Sequence, residues 1–341
     1  MTDVEEHWSA FPFDEPPQSW KREEELLLAP HLPSRKVVRD HEPLQVIHFP
    51  PQYEETTMGH PRPVYESLYL RLEWQTMPDS RQPFYHRNTD VDELSLQVSG
   101  ERSLITDRGT VEMRPGDYVC MPTGTAHDNY GRGDIHVLFY TPAGVKALVP
   151  PQRHSEVIIP PRDWAPVQVN ELVTECLGGP EHDIVMYPAN ELDIWENANR
   201  SGERLDVLRV DPQSSGTTWL YQSENILIGQ TRLVDDPGLA YVRHRNCEEI
   251  QYQISGERLL VSQRGMVRVQ AGDFVKIPIG VAFTSIVRGE ATHVRVCSAT
   301  TYRQQIEEQE CVRAYVPQIA ESTGEAVPID HAVIAAERAG L

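Results

Sequence analysis

The chain has 341 residues, 39% hydrophobic and 24% charged, a globular composition long enough for two domains that each bury a core. Against 31 basic side chains stand 51 acidic ones, a formal charge of −20. That balance argues against nucleic acid or an anionic membrane as a partner, because neither meets a basic surface.

The N-terminus "MTDVEEHWSAF" has no basic region leading into an apolar stretch, so no signal peptide is expected. No apolar run approaches a membrane span. Cys120, Cys176, Cys247, Cys297 and Cys311 are scattered without close pairing, as expected of reduced thiols in a cytoplasmic protein. Residues 1–50 mix prolines with one short helical turn around "KREEELLL" and read as an arm that packs over a domain or a neighbouring subunit.

From about Val64 the pattern becomes short alternating segments. "VYESLYLRLEW" alternates Leu68, Leu70, Leu72 and Trp74 with polar residues and predicts a strand with one apolar face. "ELSLQVSG", "RSLITDRG", "TVEMRPGDYVCMP" and "HVLFYTP" follow, each closed by Gly or Pro. Many short strands between turn signals predict an all-β barrel or sandwich. Cys120 alternates with Tyr118 and reads as core, and "EMRPGD" and "RVQAGD" read as turns whose glycine supplies the backbone conformation.

The same order then recurs. Glu93, Gly100, Gly109, Gly116, Pro122 and Gly124 each have an identical partner 156 residues later, at Glu249, Gly256, Gly265, Gly272, Pro278 and Gly280. This predicts a duplicated β domain. The organisation expected is an arm (1–50), a first β domain (51–148) and a connector with one short helix and strands extending a sheet (149–219). A second β domain (220–303) and a helical tail (304–341) complete it.

Chemistry concentrates in the first copy. On an extended strand His86 and Asn88 share a face, with Arg87 outward; Glu93 lies past a turn, and His127 follows the Pro122–Gly124 turn on a later strand. Two imidazoles and a carboxylate form a facial triad that leaves coordination positions open, a geometry suited to non-haem Fe(II) and oxygen, while imidazole also admits Mn, Ni, Cu or Zn, so the ligands alone do not name the ion. An ionised Glu93 inside a β domain costs several kcal/mol unless compensated, and a metal compensates it.

These residues resemble the cupin motif, Gly-x5-His-x-His-x(3,4)-Glu-x6-Gly followed by Gly-x5-Pro-x-Gly-x2-His-x3-Asn. His86, Asn88 in place of the second histidine, Glu93, Gly100, Gly116, Pro122, Gly124 and His127 fit it. Ser80 replaces the leading glycine, and Asn129 comes two residues early. The resemblance implies two tandem cupin barrels of the double-stranded β-helix, or jelly-roll, type, all-β with short helices in the arm, connector and tail. The metal ligands it implies are His86, Glu93 and His127. "HRN", with a Glu and then a Gly six residues on, is similar to homogentisate dioxygenase, a relative of the gentisate and hydroquinone dioxygenases.

That similarity implies an Fe(II)-dependent, extradiol-type ring-cleaving dioxygenase taking a hydroxylated aromatic and O2, expected as a homo-oligomer. Alternatives are a metal-dependent cupin isomerase or lyase and a non-catalytic binding bicupin. Asn88 is expected as an outer hydrogen-bond donor to oxygen or substrate rather than a fourth ligand. Tyr85, Tyr130 and His136 are candidate acid/base groups, and His60 a candidate for the mouth. Asp90 and Asp92 read as solvated loop carboxylates.

The second copy writes "HRNCEE", with Gly238 five residues before His244, but Glu249 follows Asn246 too closely and Phe283 stands where His127 stands. Without gaps, His244 falls opposite Asn88. At most His244 and Glu249 remain as donors, so this copy is expected to be structural, without a catalytic metal.

Overall fold

Alternation along "ELSLQ" resolves into two faces of opposite chemistry. Leu94 and Leu96 turn outward into an apolar core shared with the second half, while Glu93, Ser95 and Gln97 face inward. The computed structural model describes residues 2–30, 41–55, 61–157, 168–177, 182–301 and 322–341.

In the first half, the 16-residue strands Val91–Thr106 and His127–Pro142 run antiparallel along their length, at the middle of a 12-stranded sheet. Both bend where they cross from one layer to the other. In the second half the same path is broken into Cys247–Ser255 and Glu257–Ser262, and into Phe283–Ile286 and Glu290–Ala299. The pieces belong to an 8-stranded and a 6-stranded sheet. Each half is a jelly-roll. Among the described residues hydrogen bonds close neither into a barrel, so the expected barrels are open.

The repeated glycines sit at the corners. Gly100 has φ +65°, and a Cβ there would come 2.1 Å from Gly133 O; Gly256 has φ +72°, and its Cβ would meet Glu290 O at 2.0 Å. Only glycine lets the two strands cross so closely.

The halves pack back to back through Leu72, Trp74, Leu94, Leu96, Val137 and Phe139 against Ile226, Ile228, Ile250, Tyr252, Val294 and Val296. Phe49 stacks on Trp74 at 4.7 Å between ring centroids and meets Phe274 edge-on at 6.0 Å. Cys120 packs against this core beside Tyr118, as its alternation predicts.

"VYESLYLRLEW" is not one strand. It is a hairpin of Arg62–Glu66 and Arg71–Met77, closed by Ser67 N donating to Leu70 O at 2.8 Å. Leu70, Leu72 and Trp74 keep the apolar face, but Leu68 sits at the turn and is 58% exposed.

The arm is woven into the second half. Asp3–Ser9 pairs in parallel with Ala240–His244 and antiparallel with Gln18–Glu23, and Gln45–His48 pairs with Asp273–Ile277. Near the C-terminus, Ser322–Glu325 joins the other side of Gln45–His48, and helix His331–Ala339 begins on an Asp330 cap. The segment "YRQQIEEQECVRAYV" lies outside the described residues.

The connector serves the first half. Gln168–Glu175 lies parallel to Phe84–Asn88, His182–Asn190 pairs with it, and helix Glu191–Ser201 follows, with the Asn190 side chain accepting from Leu192 N. Asn190 caps this helix and Gly202, at φ +71°, ends it, a start and stop readable in the sequence. Among the described residues, no helix is long and apolar enough to cross a membrane.

Candidate metal centre

His86 and His127 face each other directly across adjacent strands, and Glu93 lies on the strand that also pairs with His127's strand. One ligand atom from each of the three lies within 4.8 Å of the others, and all three residues are buried. The imidazole centroids of His86 and His127 are 5.2 Å apart, and His127 Nε2 is 3.4 Å from Glu93 Oε2.

The hydrogen bonds aim the rings. His127 Nδ1 is 3.2 Å from Thr125 O, which can only accept, so Nδ1 carries the proton and Nε2 presents its lone pair toward Glu93. His86 Nε2 bonds to Thr174 Oγ1, whose hydroxyl proton goes to Asn88 Oδ1 at 3.2 Å. The hydroxyl therefore accepts from His86 Nε2–H, leaving Nδ1 as that ring's lone pair.

Asn88 is tied on both sides. Its Nδ2 donates to Glu93 Oε2 at 2.8 Å, and its Oδ1 accepts from Thr174 and from Cys176 Sγ at 3.0 Å. An amide engaged in this way orients Glu93.

Electrostatics fit a cation. Burial, and then each other's proximity for His86, pushes both imidazoles down to about 4, so both are neutral at physiological pH, as metal ligands must be. Burial raises the carboxyl of Glu93, with His86 and Asn88 opposing. Among the described residues no arginine or lysine ion-pairs with it. A buried carboxylate with no arginine or lysine ion-paired to it, clustered with two neutral imidazoles, is what a divalent metal ion completes.

The other candidates fall elsewhere. Tyr85 alternates to the opposite face of its strand, where its hydroxyl donates to Glu191 Oε1 at 3.1 Å and accepts from Trp195 Nε1 at 3.2 Å; it is a core residue, not a pocket acid. Tyr130 lies at the surface, donating to Asp79 at 2.6 Å. His136 is buried, but its two nitrogens are taken by Asp134 (2.6 Å) and Gln75 (3.0 Å). None of these three is free to act as an acid or base at the cluster. Asp92 is not solvated: it is buried and gathers Thr123 N, Gly144 N and Val145 N at 2.8–2.9 Å. Asp90 holds the backbone of Cys176 and Leu177. Arg87 points outward to Glu171 and Asp107, as expected. An open cleft of about 400 Å³ on that outward face includes none of the three donors. His60 lies outside the described residues.

Three residues at the site escaped the sequence reading. Thr174 and Cys176 come from the connector, and the available signal was their i, i+2 spacing on an alternating "LVTEC" strand. Arg102, fully buried and bonded to Ser95 Oγ, recurs as Arg258 in the repeated "SGER".

The second half keeps the frame and replaces the donors. Arg87 and Arg243 each donate to the carbonyl of the matching glycine, Gly124 and Gly280, and Gly124 N and Gly280 N bond Asn88 O and His244 O. Through this turn the halves are thus in ungapped register, with one residue inserted before the last strand of the second, and the repeated "HRN" is displaced by two residues. His244 occupies the place of Asn88, Val242 that of His86, and Phe283 that of His127. Glu249 is satisfied by Arg295, whose Nε and Nη2 reach its two oxygens at 2.8 and 2.7 Å, and by His244 Nε2 at 2.7 Å. Burial alone would raise Glu249; Arg295 and His244 hold it well below the usual carboxylate range. The residue at Arg295's place in the first half is Leu138.

The sequence matches no protein-family model, and no curated relative is found. Among solved structures the chain is similar to a cupin 2 conserved barrel domain protein from Leptotrichia buccalis, at 6% identity over 70% of this chain and 88% of that one, TM-score 0.44. It is also similar to a salicylate 1,2-dioxygenase from Pseudaminobacter salicylatoxidans, at 11% identity over 74% and 78%, TM-score 0.43. An oxalate decarboxylase matches at 11% over 87% and 92%, TM-score 0.42. Two jelly-roll halves in one repeated register, with the cupin motif's three donors meeting inside the first, give this chain the bicupin fold.

Proposed function

We propose that the first half is an Fe(II)-dependent dioxygenase that cleaves the ring of a hydroxylated aromatic compound with O2. The observation that carries the reading is Glu93, buried without an ion-paired arginine or lysine and clustered with the buried imidazoles of His86 and His127. These three would hold the metal. A ferrous ion with two imidazoles and one carboxylate supplies open positions and a redox link between an electron-rich ring and oxygen.

The protein's own groups prepare the site. Thr125 and Thr174 fix the two imidazoles, and Asn88 fixes Glu93. Val91, Leu138 and Tyr140 form an apolar cluster with Cys176, and Tyr140 stands directly opposite Glu93. That wall excludes water and offers an aromatic ring a surface to lie against.

The test is oxygen uptake by anaerobically purified protein reconstituted with Fe(II), screened against hydroquinone-, gentisate-, homogentisate- and catechol-like compounds. At least one should be consumed with stoichiometric O2. Iron retained but no uptake across the panel would sink the oxygenase reading.

A further inference from the structure

The second half lost the cupin donors in place, yet it gained others. Cys297 stands directly opposite Glu249, where the first half has Tyr140 opposite Glu93. Cys247 begins the same strand as Glu249, at the place of Val91. His244 projects to meet them, and ligand atoms of His244, Cys247 and Cys297 lie within 4.8 Å of one another, all three residues buried. We propose that this cluster is a second metal site, one for a thiophilic divalent ion such as zinc, whose role is structural.

The donor chemistry chooses the ion. Two thiolates and an imidazole suit zinc and disfavour a hard cation, and their two negative charges match a divalent ion without Glu249, which Arg295 already neutralises. Zinc holds sulfur at about 2.3 Å and nitrogen at about 2.0 Å, so one ion bridges donors at this spacing with small side-chain rotations. Glu249 Oε2, 3.7 Å from Cys297 Sγ and 2.7 Å from His244 Nε2, borders the fourth position. Binding releases the two thiol protons to solvent. The imidazole proton moves from Nε2 to Nδ1, where Ser9 Oγ, 2.9 Å away, accepts it.

The arm closes this site. Phe11, Phe13 and Trp219 pack around Leu227, Cys247 and Cys297; Phe13 meets the His244 ring at 5.3 Å and stacks on Trp219 at 5.9 Å. Asn246 bolts the arm down, accepting from Phe11 N at 2.7 Å and donating to Phe11 O at 3.0 Å. A site sealed by aromatic rings and lined by protein donors holds an ion without turning over substrate, which separates this inference from the oxygenase reading.

Cobalt(II) is the probe, because only thiolate ligands give a near-ultraviolet sulfur-to-cobalt charge-transfer band. Full-length protein, reduced and anaerobic, should show that band on loading. His127→Ala and Cys176→Ser should keep it. Cys247→Ser and Cys297→Ser should each lose at least half of its intensity and weaken zinc binding at this site at least about 100-fold, the upper range for disturbing even an outer partner of a metal ligand. X-ray absorption of zinc-loaded His127→Ala, which lacks the first site and keeps both cysteines, should show two sulfur neighbours; this decides the matter if the serine variants do not fold. A folded wild type with no charge-transfer band, a band undiminished in Cys297→Ser, or zinc without sulfur neighbours overturns the proposal.

Discussion

Two carboxylates in one register, Glu93 and Glu249, meet opposite fates. In the first half Glu93 faces two neutral imidazoles, and Leu138 stands opposite Ser95, the next residue on Glu93's face of the strand. In the second half the matching positions are Val242, Phe283 and Arg295, and the guanidinium supplies internally the charge that the first half leaves to a metal. A buried anion must be compensated somewhere, and in the second half an arginine does so where the metal donors are gone.

The largest expected effect breaks the comparison at its donors. His127→Ala leaves two ligands and should cut iron binding and turnover at least about 100-fold, while His244→Ala keeps about one iron per chain. Iron analysis beside oxygen uptake checks both. If His244→Ala loses iron and His127→Ala keeps it, the halves have been assigned the wrong way round.

Grafting the second half's cation sharpens the point. Leu138→Arg places a guanidinium beside Glu93 and should abolish iron binding in chain that still folds, read as iron content of the monodisperse fraction after a circular dichroism check. Full iron occupancy in that variant would show that charge is not what distinguishes the halves.

The reciprocal change acts on stability. Arg295→Leu strands a buried carboxylate and should cost about 3–5 kcal/mol in denaturant unfolding. Phe283→Ala should cost a similar 3–5 kcal/mol by opening a cavity in a buried apolar cluster, without removing iron from the first half. A loss under 1 kcal/mol for Arg295→Leu would mean Glu249 finds its compensation elsewhere.

The smallest effect is in pH. His136 and His293 occupy matching places opposite Gln97 and Gln253. Burial, then Arg102, lowers His136 below its ordinary 6.5; burial, then Arg258 and Arg295, lowers His293 further. Both stay neutral in the fold while the unfolded chain takes up protons below 6.5, so metal-free protein should lose stability as pH falls from there. His136→Gln should reduce the slope of unfolding free energy between pH 6.5 and 5. An unchanged slope would mean His136 does not carry the linkage.

The duplication, the strand alternation, the corner glycines and the triad were legible in the sequence because each depends on local spacing: period two along a strand, φ above zero at a turn, a motif copied at fixed distance. Tyr85 could have been set aside on the same ground, since it alternates with His86. What no local pattern carries is pairing between distant strands. Thr174 and Cys176 reach Asn88 only because the connector lies parallel to Phe84–Asn88. Asp92 is buried because Gly144 and Val145 fold back over it. The words "HRN" occur twice, but strand register makes His244 the counterpart of Asn88, and the arm, the guanidinium and two thiols converge on it from remote positions. Sequence determined which groups were available and which face of a strand each took; the tertiary structure decided which charges and donors would share one buried space, because that depends on contacts between residues up to more than two hundred positions apart.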